Sequence, residues 1–438
     1  MSIVIRGAAL PNGTRRDLHI EGGSYVGEVS GTPRHVIEAD GLLALPGLVD
    51  LHTHLREPGF EHSETVLSGS RAAAIGGFTA VLGMANTMPV GDTAGVVEQV
   101  HSLGETHGYV TVRPIGAVTV GLAGERLAEI GAMAQSRAAV RVFSDDGHCV
   151  HDSLLMRRAL EYVKTFGGVV AQHAQDPRLT IDAQMNEGTV SSELGLAGWP
   201  AVAEESIIAR DALLAEHVGA RLHVCHVSTA GSVEVIAWAK ARGIQITAEV
   251  TPHHLLLNEE LARGFDSRFK VNPPLRRDDD IHALRAALAS GTVDIVATDH
   301  APHPPEAKEC AWAEASNGMV GLESALSVVQ HAMVDTGQLT WADVARVLSA
   351  KPAEIGGLAG YDRAFADGSR ANLTIIDPST KREFTVDSLK GKGRNSPYLG
   401  RELPGRVMAT VHTGYPTVMD GELLDAESVA AYAKESRG

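Results

Sequence analysis

The sequence predicts an α/β protein: a (β/α)8 TIM barrel with a small β-sandwich domain formed from both chain ends. Three observations predict it. Apolar strand-like runs alternate with amphipathic helical segments from residue 48 to about 358. Short strand runs without any helical period flank this region on both sides. No Gly-rich phosphate loop follows the first buried run, whereas an open doubly wound sheet would more often carry one there. The expected domains are 1–47 for the first part of the small β domain, 48–358 for the barrel and 359–438 for its remaining part.

In chain order, runs at 3–5, 17–20 and 36–39 read as strands, separated by Pro11-Asn12-Gly13 and Glu21-Gly22-Gly23. The apolar run 42–49 then leads into Asp50-Leu51-His52-Thr53-His54. It is too short for a buried helix and is punctuated by Pro46 and Gly47, so it reads as a buried strand. Further strands are expected at 80–84, 112–118, 139–144, 169–173, 221–227, 244–250 and 294–300, with helical segments such as 204–214 between them. Strand–helix repetition of this length fits a closed parallel barrel. Strands return at 371–377 and 407–414, with turns at Gly391-Lys392-Gly393 and Asp420-Gly421.

Composition narrows the function. A net charge of −16 argues against nucleic acid or an anionic membrane as partner. An anionic substrate would therefore need local cationic groups. Cys149, Cys225 and Cys310 are odd in number and form no Cys-x-x-Cys, which predicts reduced thiols and a cytoplasmic protein. The N-terminal segment lacks a signal-like pattern, and no apolar stretch reaches membrane-spanning length.

The chemistry is signalled by where polar residues fall. Alternation puts His52 and His54 on one side of their strand. The next candidates close other strands: Asp145 and Asp146 after 139–144, His173 at the end of 169–173, His226 near the end of 221–227, and Asp299-His300 at the end of 294–300, with His303 beyond. All sit at carboxyl ends, the rim where barrel enzymes place their chemistry. A lone histidine on an apolar run is more often structural, but five strand ends delivering His or Asp to one rim imply a metal centre. Nitrogen and carboxylate donors without thiolate suit zinc or another divalent ion in a catalytic role. Cys225, next to His226, is expected to face the opposite side of its strand. The donors exceed what one tetrahedral ion needs, so two ions bridged by a carboxylate are compatible with the set. Met84 and Met88 read as packing residues. The run Asp278-Asp279-Asp280 reads as a solvated helix start. The polar segment 303–318 reads as a lid over the mouth.

The motifs Asp50-Leu51-His52-Thr53-His54-Leu55-Arg56-Glu57-Pro58-Gly59, Gly83-Met84-Ala85-Asn86-Thr87-Met88-Pro89, Phe143-Ser144-Asp145-Asp146-Gly147, Glu249-Val250-Thr251-Pro252-His253-His254, Lys270-Val271-Asn272-Pro273-Pro274 and Thr298-Asp299-His300-Ala301-Pro302-His303 together carry a resemblance. Over essentially its whole length the chain resembles the dihydroorotases of the amidohydrolase superfamily, in the bacterial type with an aspartate where related enzymes use a carboxylated lysine. The resemblance implies a zinc-dependent cyclic amide hydrolase that interconverts N-carbamoyl-L-aspartate and L-dihydroorotate in pyrimidine biosynthesis. It implies His52, His54 and Asp146 for one metal, and Asp146, His173 and His226 for a second, with Asp146 bridging and chosen over Asp145. It implies Asp299 beside the metal as general acid/base. Arg56, Asn86 and His303, with His54 next to them, would meet the substrate carboxylate, and Asn272 the ring.

Two departures stand out. Ser316-Asn317-Gly318 replaces Pro-Phe-Gly, leaving contacts there to Asn317 and Gly318, and His173-Ala174-Gln175 replaces His-Cys-Glu. Independently of the resemblance, Asn86 and Asn272 also read as Asx-turn residues, and His253 and His254 as groups that orient ligands. A homodimer is common in the family. The alternatives are another cyclic amidohydrolase (allantoinase, dihydropyrimidinase or hydantoinase) or an inactive scaffold that binds aspartate transcarbamoylase, a partner also compatible with an active enzyme.

Overall fold

Leu48–Thr53 is buried along its entire length, as expected of a strand covered on both faces. It pairs in parallel with Phe78–Gly83, which pairs with Thr111–Pro114. A second parallel sheet runs in the order Ile295–Val296, Ile246–Val250, Leu222–Val224, Val169–Gln172, Val142–Phe143. Isolated parallel bridges link the two sheets at both edges, Gly116 to Phe143 and Thr53 to His300. The computed structural model describes residues 1–361 and 363–437. Each strand predicted between 48 and 300 is present in it.

Helices follow the strands, among them Val66–Ile75, Ala94–His107, Ser153–Lys164, Val202–Val218, Ala230–Ala241 and Asp278–Ser290. Several begin where local chemistry dictates. Thr65 accepts from the Ser68 amide and Asp152 from the Leu155 amide, satisfying donors a helix start leaves open. Asp278-Asp279-Asp280 does open a helix, although Asp280 is buried and accepts from the Ala230 and Arg277 amides. Val49, Leu51, Ala80, Leu82, Ile115, Val142, Val169, Ala171, Ile295 and Ala297 form one apolar cluster. Alternate residues of the same strands, such as Leu48, Val81, Val112, Phe143, Val170 and Val224, pack in a separate cluster with helix residues.

The two chain ends share one nine-stranded sheet. Leu43–Pro46 joins them, pairing in parallel with Ser2–Ala9 and antiparallel with Leu373–Glu383. The C-terminal segment ends in a helix, Ala426–Arg437, which the strand pattern did not signal. Met84 packs as expected, but Met88 is 60% exposed, because it lies on a loop beyond the strand end. No helix among the described residues is long and apolar enough to cross a membrane.

Candidate metal centre and active site

The carboxyl ends of the parallel strands meet at a cavity of about 240 Å³. Its walls include His54, Arg56, Asn86, Asp146, His173, Asn272, Asp299, His303, Asn317 and Gly318. Residues spread over 265 positions of sequence are thus brought to one place by strand order.

Two groups of ligand atoms converge there. His52, His54, Asp146 and Asp299 form one, and Asp146, His173 and His226 the other. Asp146 divides its oxygens between them. Its Oδ2 is 3.3 Å from His52 Nε2 and 3.4 Å from His54 Nε2, while its Oδ1 is 3.2 Å from His226 Nε2 and 3.3 Å from His173 Nδ1. Asp299 Oδ1 lies 3.1 Å from His54 Nε2 and 3.5 Å from His52 Nε2. His52 Nε2 is buried without a hydrogen-bond partner among the described residues. This nitrogen and the carboxylate oxygens face a common point, which is what a cation requires.

Electrostatics follow from this crowding. Burial pushes His52 down, but the Asp146 and Glu249 carboxylates outweigh burial and hold its imidazole well above the usual histidine range. Burial pushes Asp146 up, and His52, His173 and His226 reverse it, holding the carboxyl well below the usual range. Asp299 is likewise lowered, burial being overcome by His52 and His54. Both aspartates therefore stand as carboxylates at neutral pH.

Backbone geometry departs from simple strands at three of the residues around the cavity. Arg56, His226 and Asp299 have φ of 62°, 32° and 47°. Left-handed non-glycine residues are costly and gather at sites that over-determine them. Arg56 lies beyond the strand, which ends at Thr53, and a turn brings its side chain to the cavity. For Cys225 the backbone corrects the expected alternation. The φ at His226 breaks it, so Cys225 packs in the apolar cluster beneath the site, near His52 and Glu249. Burial raises the thiol far above its ordinary value, so it stays protonated.

The surrounding residues hold the donor side chains in place. Asp145 turns away from the cluster and accepts from the Val118 and Thr119 amides at 2.8 and 2.9 Å. Asn86 is not an Asx turn, for its Oδ1 accepts from His54 Nδ1 at 3.0 Å. Asn272 Nδ2 donates to Gln175 Oε1 at 3.2 Å, and its buried Oδ1 has no partner among the described residues. His254 lies between Thr251 Oγ1 and the carbonyls of Pro273 and Pro274, away from the ligands. Asp50 accepts from the Thr298 amide and hydroxyl, tying the first strand to the last.

One residue escaped the sequence reading. Glu249 Oε1 lies 2.6 Å from His52 Nδ1, and its Oε2 lies 3.0 Å from His223 Nε2. A carboxylate inside the apolar run Ile246–Val250 was the available signal, since a fully buried charge needs partners. The segment 303–318 is tethered rather than loose. Lys308 Nζ donates to the carbonyls of Lys270, Ser316 and Gly318, and Lys270 Nζ to those of Trp312 and Ala313.

Paired His/Asp groups at the carboxyl ends of parallel strands define a metal-binding hydrolase of the amidohydrolase class. A family model described as Dihydro-orotase-like matches residues 41–232. Curated relatives named Dihydroorotase include proteins from Leifsonia xyli subsp. xyli, 70% identical over 97% of this chain and 98% of the relative, and from Streptomyces coelicolor, 63% identical over 96% and 99%. The relative from Mycobacterium tuberculosis is 51% identical over 97% of this chain and 100% of its own length. The chain belongs to the dihydroorotase family. Among solved structures, L-hydantoinase (dihydropyrimidinase) from Arthrobacter aurescens aligns with a TM-score of 0.86 at 24% identity, covering 97% of each chain. Dihydropyrimidinase from Brevibacillus agri NCHU1002 aligns with a TM-score of 0.84 at 21% identity over 98% of this chain and 97% of that one. At such identities these two show the shared fold.

Proposed function

We propose that this chain closes N-carbamoyl-L-aspartate to L-dihydroorotate with loss of water, and reverses that step, as a zinc-dependent enzyme of pyrimidine biosynthesis. The observation that carries the proposal is a single cavity that combines paired His/Asp donors with Arg56 at its wall. The donor set fits a divalent ion: nitrogen and carboxylate atoms, an orphaned buried His52 Nε2, and one carboxylate facing two groups at once. His52, His54, Asp146 and Asp299 would hold one ion, and Asp146, His173 and His226 a second. When bound, such an ion polarises an amide carbonyl and lowers the pKa of water to about 7.

The protein's own groups supply the rest. Asp299, ionised and beside His54, is placed to accept a proton and return it to the ring nitrogen in the hydrolytic direction. In ring closure the same carboxylate takes the ureido proton. Among the described residues Arg56 donates only through Nε, to Pro302 O at 3.3 Å, which leaves its terminal nitrogens for a substrate carboxylate. Asn86 and His54 stand beside it at the cavity wall. Asn272 Oδ1 offers an unused acceptor to a ring N–H. His303 Nε2 donates to Asn317 O at 2.7 Å, so this histidine shapes the mouth through Asn317 and Gly318.

The same reading takes the two bridged parallel sheets as a closed (β/α)8 barrel spanning 48–358. Segments 1–47 and 359–438 make up the small β domain, a sandwich in the sequence prediction. A cytoplasmic homodimer, with or without a transcarbamoylase partner, completes it. The test is turnover of L-dihydroorotate followed by ultraviolet absorbance, with allantoin and dihydrouracil alongside and metal content measured on the same sample. Dihydroorotate opening that requires metal is the expected result. Opening of only the other two substrates would overturn the substrate assignment.

A further inference from the structure

The two donor groups differ in one histidine: His54 is backed by an amide, Asn86, as His173 is by Gln175, but His52 has a carboxylate behind it. Behind His52 is Glu249, a fully buried carboxylate 2.6 Å from Nδ1 and held from its other oxygen by His223. With Nδ1–H donated there, Nε2 is turned to the Asp146–Asp299 side, where it would ligate an ion. Behind His173 is an amide: Gln175 Oε1 lies 2.7 Å from Nε2. The amide's orientation is fixed, because Gln175 Nε2 donates to Thr180 Oγ1 at 2.8 Å and Oε1 also accepts from Asn272. Nε2–H of His173 therefore points at Gln175, and Nδ1 faces Asp146 Oδ1 and His226 Nε2, the latter at 2.9 Å.

Both partners select a tautomer, but they do not do so equally. A carboxylate behind a ligating histidine makes it a stronger donor, and loss of such a partner typically costs about 10- to 100-fold in metal affinity. An amide orients the ring without adding charge. Ligand charge points the same way, since the first group contains Asp146 and Asp299 and the second shares Asp146 alone. Resting on the metal reading proposed above, we infer that Glu249 and Gln175 are positioning residues that make the two metal positions unequal. The His52–His54–Asp146–Asp299 position binds tightly, and the Asp146–His173–His226 position binds weakly and exchanges. Gln175 further couples the weak position to the cavity wall, because the oxygen that orients His173 also holds Asn272.

The test is zinc titration of the metal-stripped full chain, by calorimetry with a competing chelator. Wild type should bind zinc in two steps whose affinities differ at least about tenfold. His226→Asn should remove the weaker step and so assign it. Gln175→Glu should tighten that step about tenfold, and Gln175→Met should weaken it, both leaving the tight step unchanged. Glu249→Gln should weaken the tight step about 10- to 100-fold. A purely structural role for Gln175 would lower the melting temperature of both its variants without moving the steps in opposite directions. Two equal steps in wild type, or a weak step indifferent to Gln175→Glu and Gln175→Met, would overturn the inference while leaving the metal centre standing. Absence of zinc binding by wild type would instead remove the metal reading itself.

Discussion

Replacing Arg56 with Met tests whether the cavity is built for an acidic substrate. Among the described residues the Arg56 guanidinium has no carboxylate within ion-pair distance, and its hydrogen bond goes to Pro302 O. Burial pushes it down to about 10, partly offset by the more distant Asp299 and Asp146, so it remains charged at neutral pH. A partly buried charge with no carboxylate partner among the described residues gains one when an anionic group enters. Hydrogen bonds to charged groups are worth about 1.5–3 kcal/mol. Their loss predicts a fall in kcat/KM of about 10- to 150-fold, most of it in KM because the carboxylate stays bound through the reaction. The melting temperature should hold or rise, since Met retains the apolar stem and removes a partly buried charge that has no carboxylate partner among the described residues. Steady-state kinetics on L-dihydroorotate and a thermal melt on the same preparations measure both. A loss of kcat/KM under about 0.5 kcal/mol, the scale of an indifferent surface change, would refute the reasoning. So would a melting temperature that falls in step with activity.

Asp299→Asn should lower kcat by about 10²–10⁴-fold with a much smaller change in KM, measured at saturating substrate. Chelation should abolish turnover and lower the melting temperature, and added zinc should restore both; a site at 100 times its Kd contributes about 2.7 kcal/mol. Lys308→Met removes three donors from the 303–318 segment and should cost about 1–3 kcal/mol and raise KM, with metal content unchanged on elemental analysis. Burial, helped by the Arg56 and Lys308 charges, lowers His303 to about 3, so it is neutral above that pH and loses no charge on the way to neutrality. His303→Gln should therefore leave the shape of the KM–pH profile between about pH 5 and 8 unaltered; a histidine-like step present in wild type and absent in the variant would contradict this.

Much of the site could be read along the chain because its signals are local. Whether a run alternates, where it meets a Pro or Gly, and which residue ends it are properties of ten neighbouring positions. His52, His54, Asp146, His173, His226 and Asp299 were visible as strand ends for that reason, and parallel strands deliver their carboxyl ends to one rim. The choice of Asp146 over Asp145 came from the motif, and the fold shows its cause: Asp145 is saturated by the Val118 and Thr119 amides. The family, too, was legible, in motifs dense enough to need no coordinates.

What the tertiary structure alone decided rests on partners far apart in sequence. Glu249 meets His52 across 197 positions and Asn272 meets Gln175 across 97, so no local pattern could assign either pair. The left-handed φ at Arg56, His226 and Asp299 follows from how strand ends are held by neighbouring strands and loops, and at His226 it broke the alternation expected between Cys225 and His226. Met88 is exposed because its loop leaves the core, and Lys308 is buried because the 303–318 segment folds back onto Lys270 and Gly318. The sequence by itself determined which side chains reach the rim. Only the three-dimensional fold decided what each is held by, because hydrogen bonding and burial act across space and not along the chain.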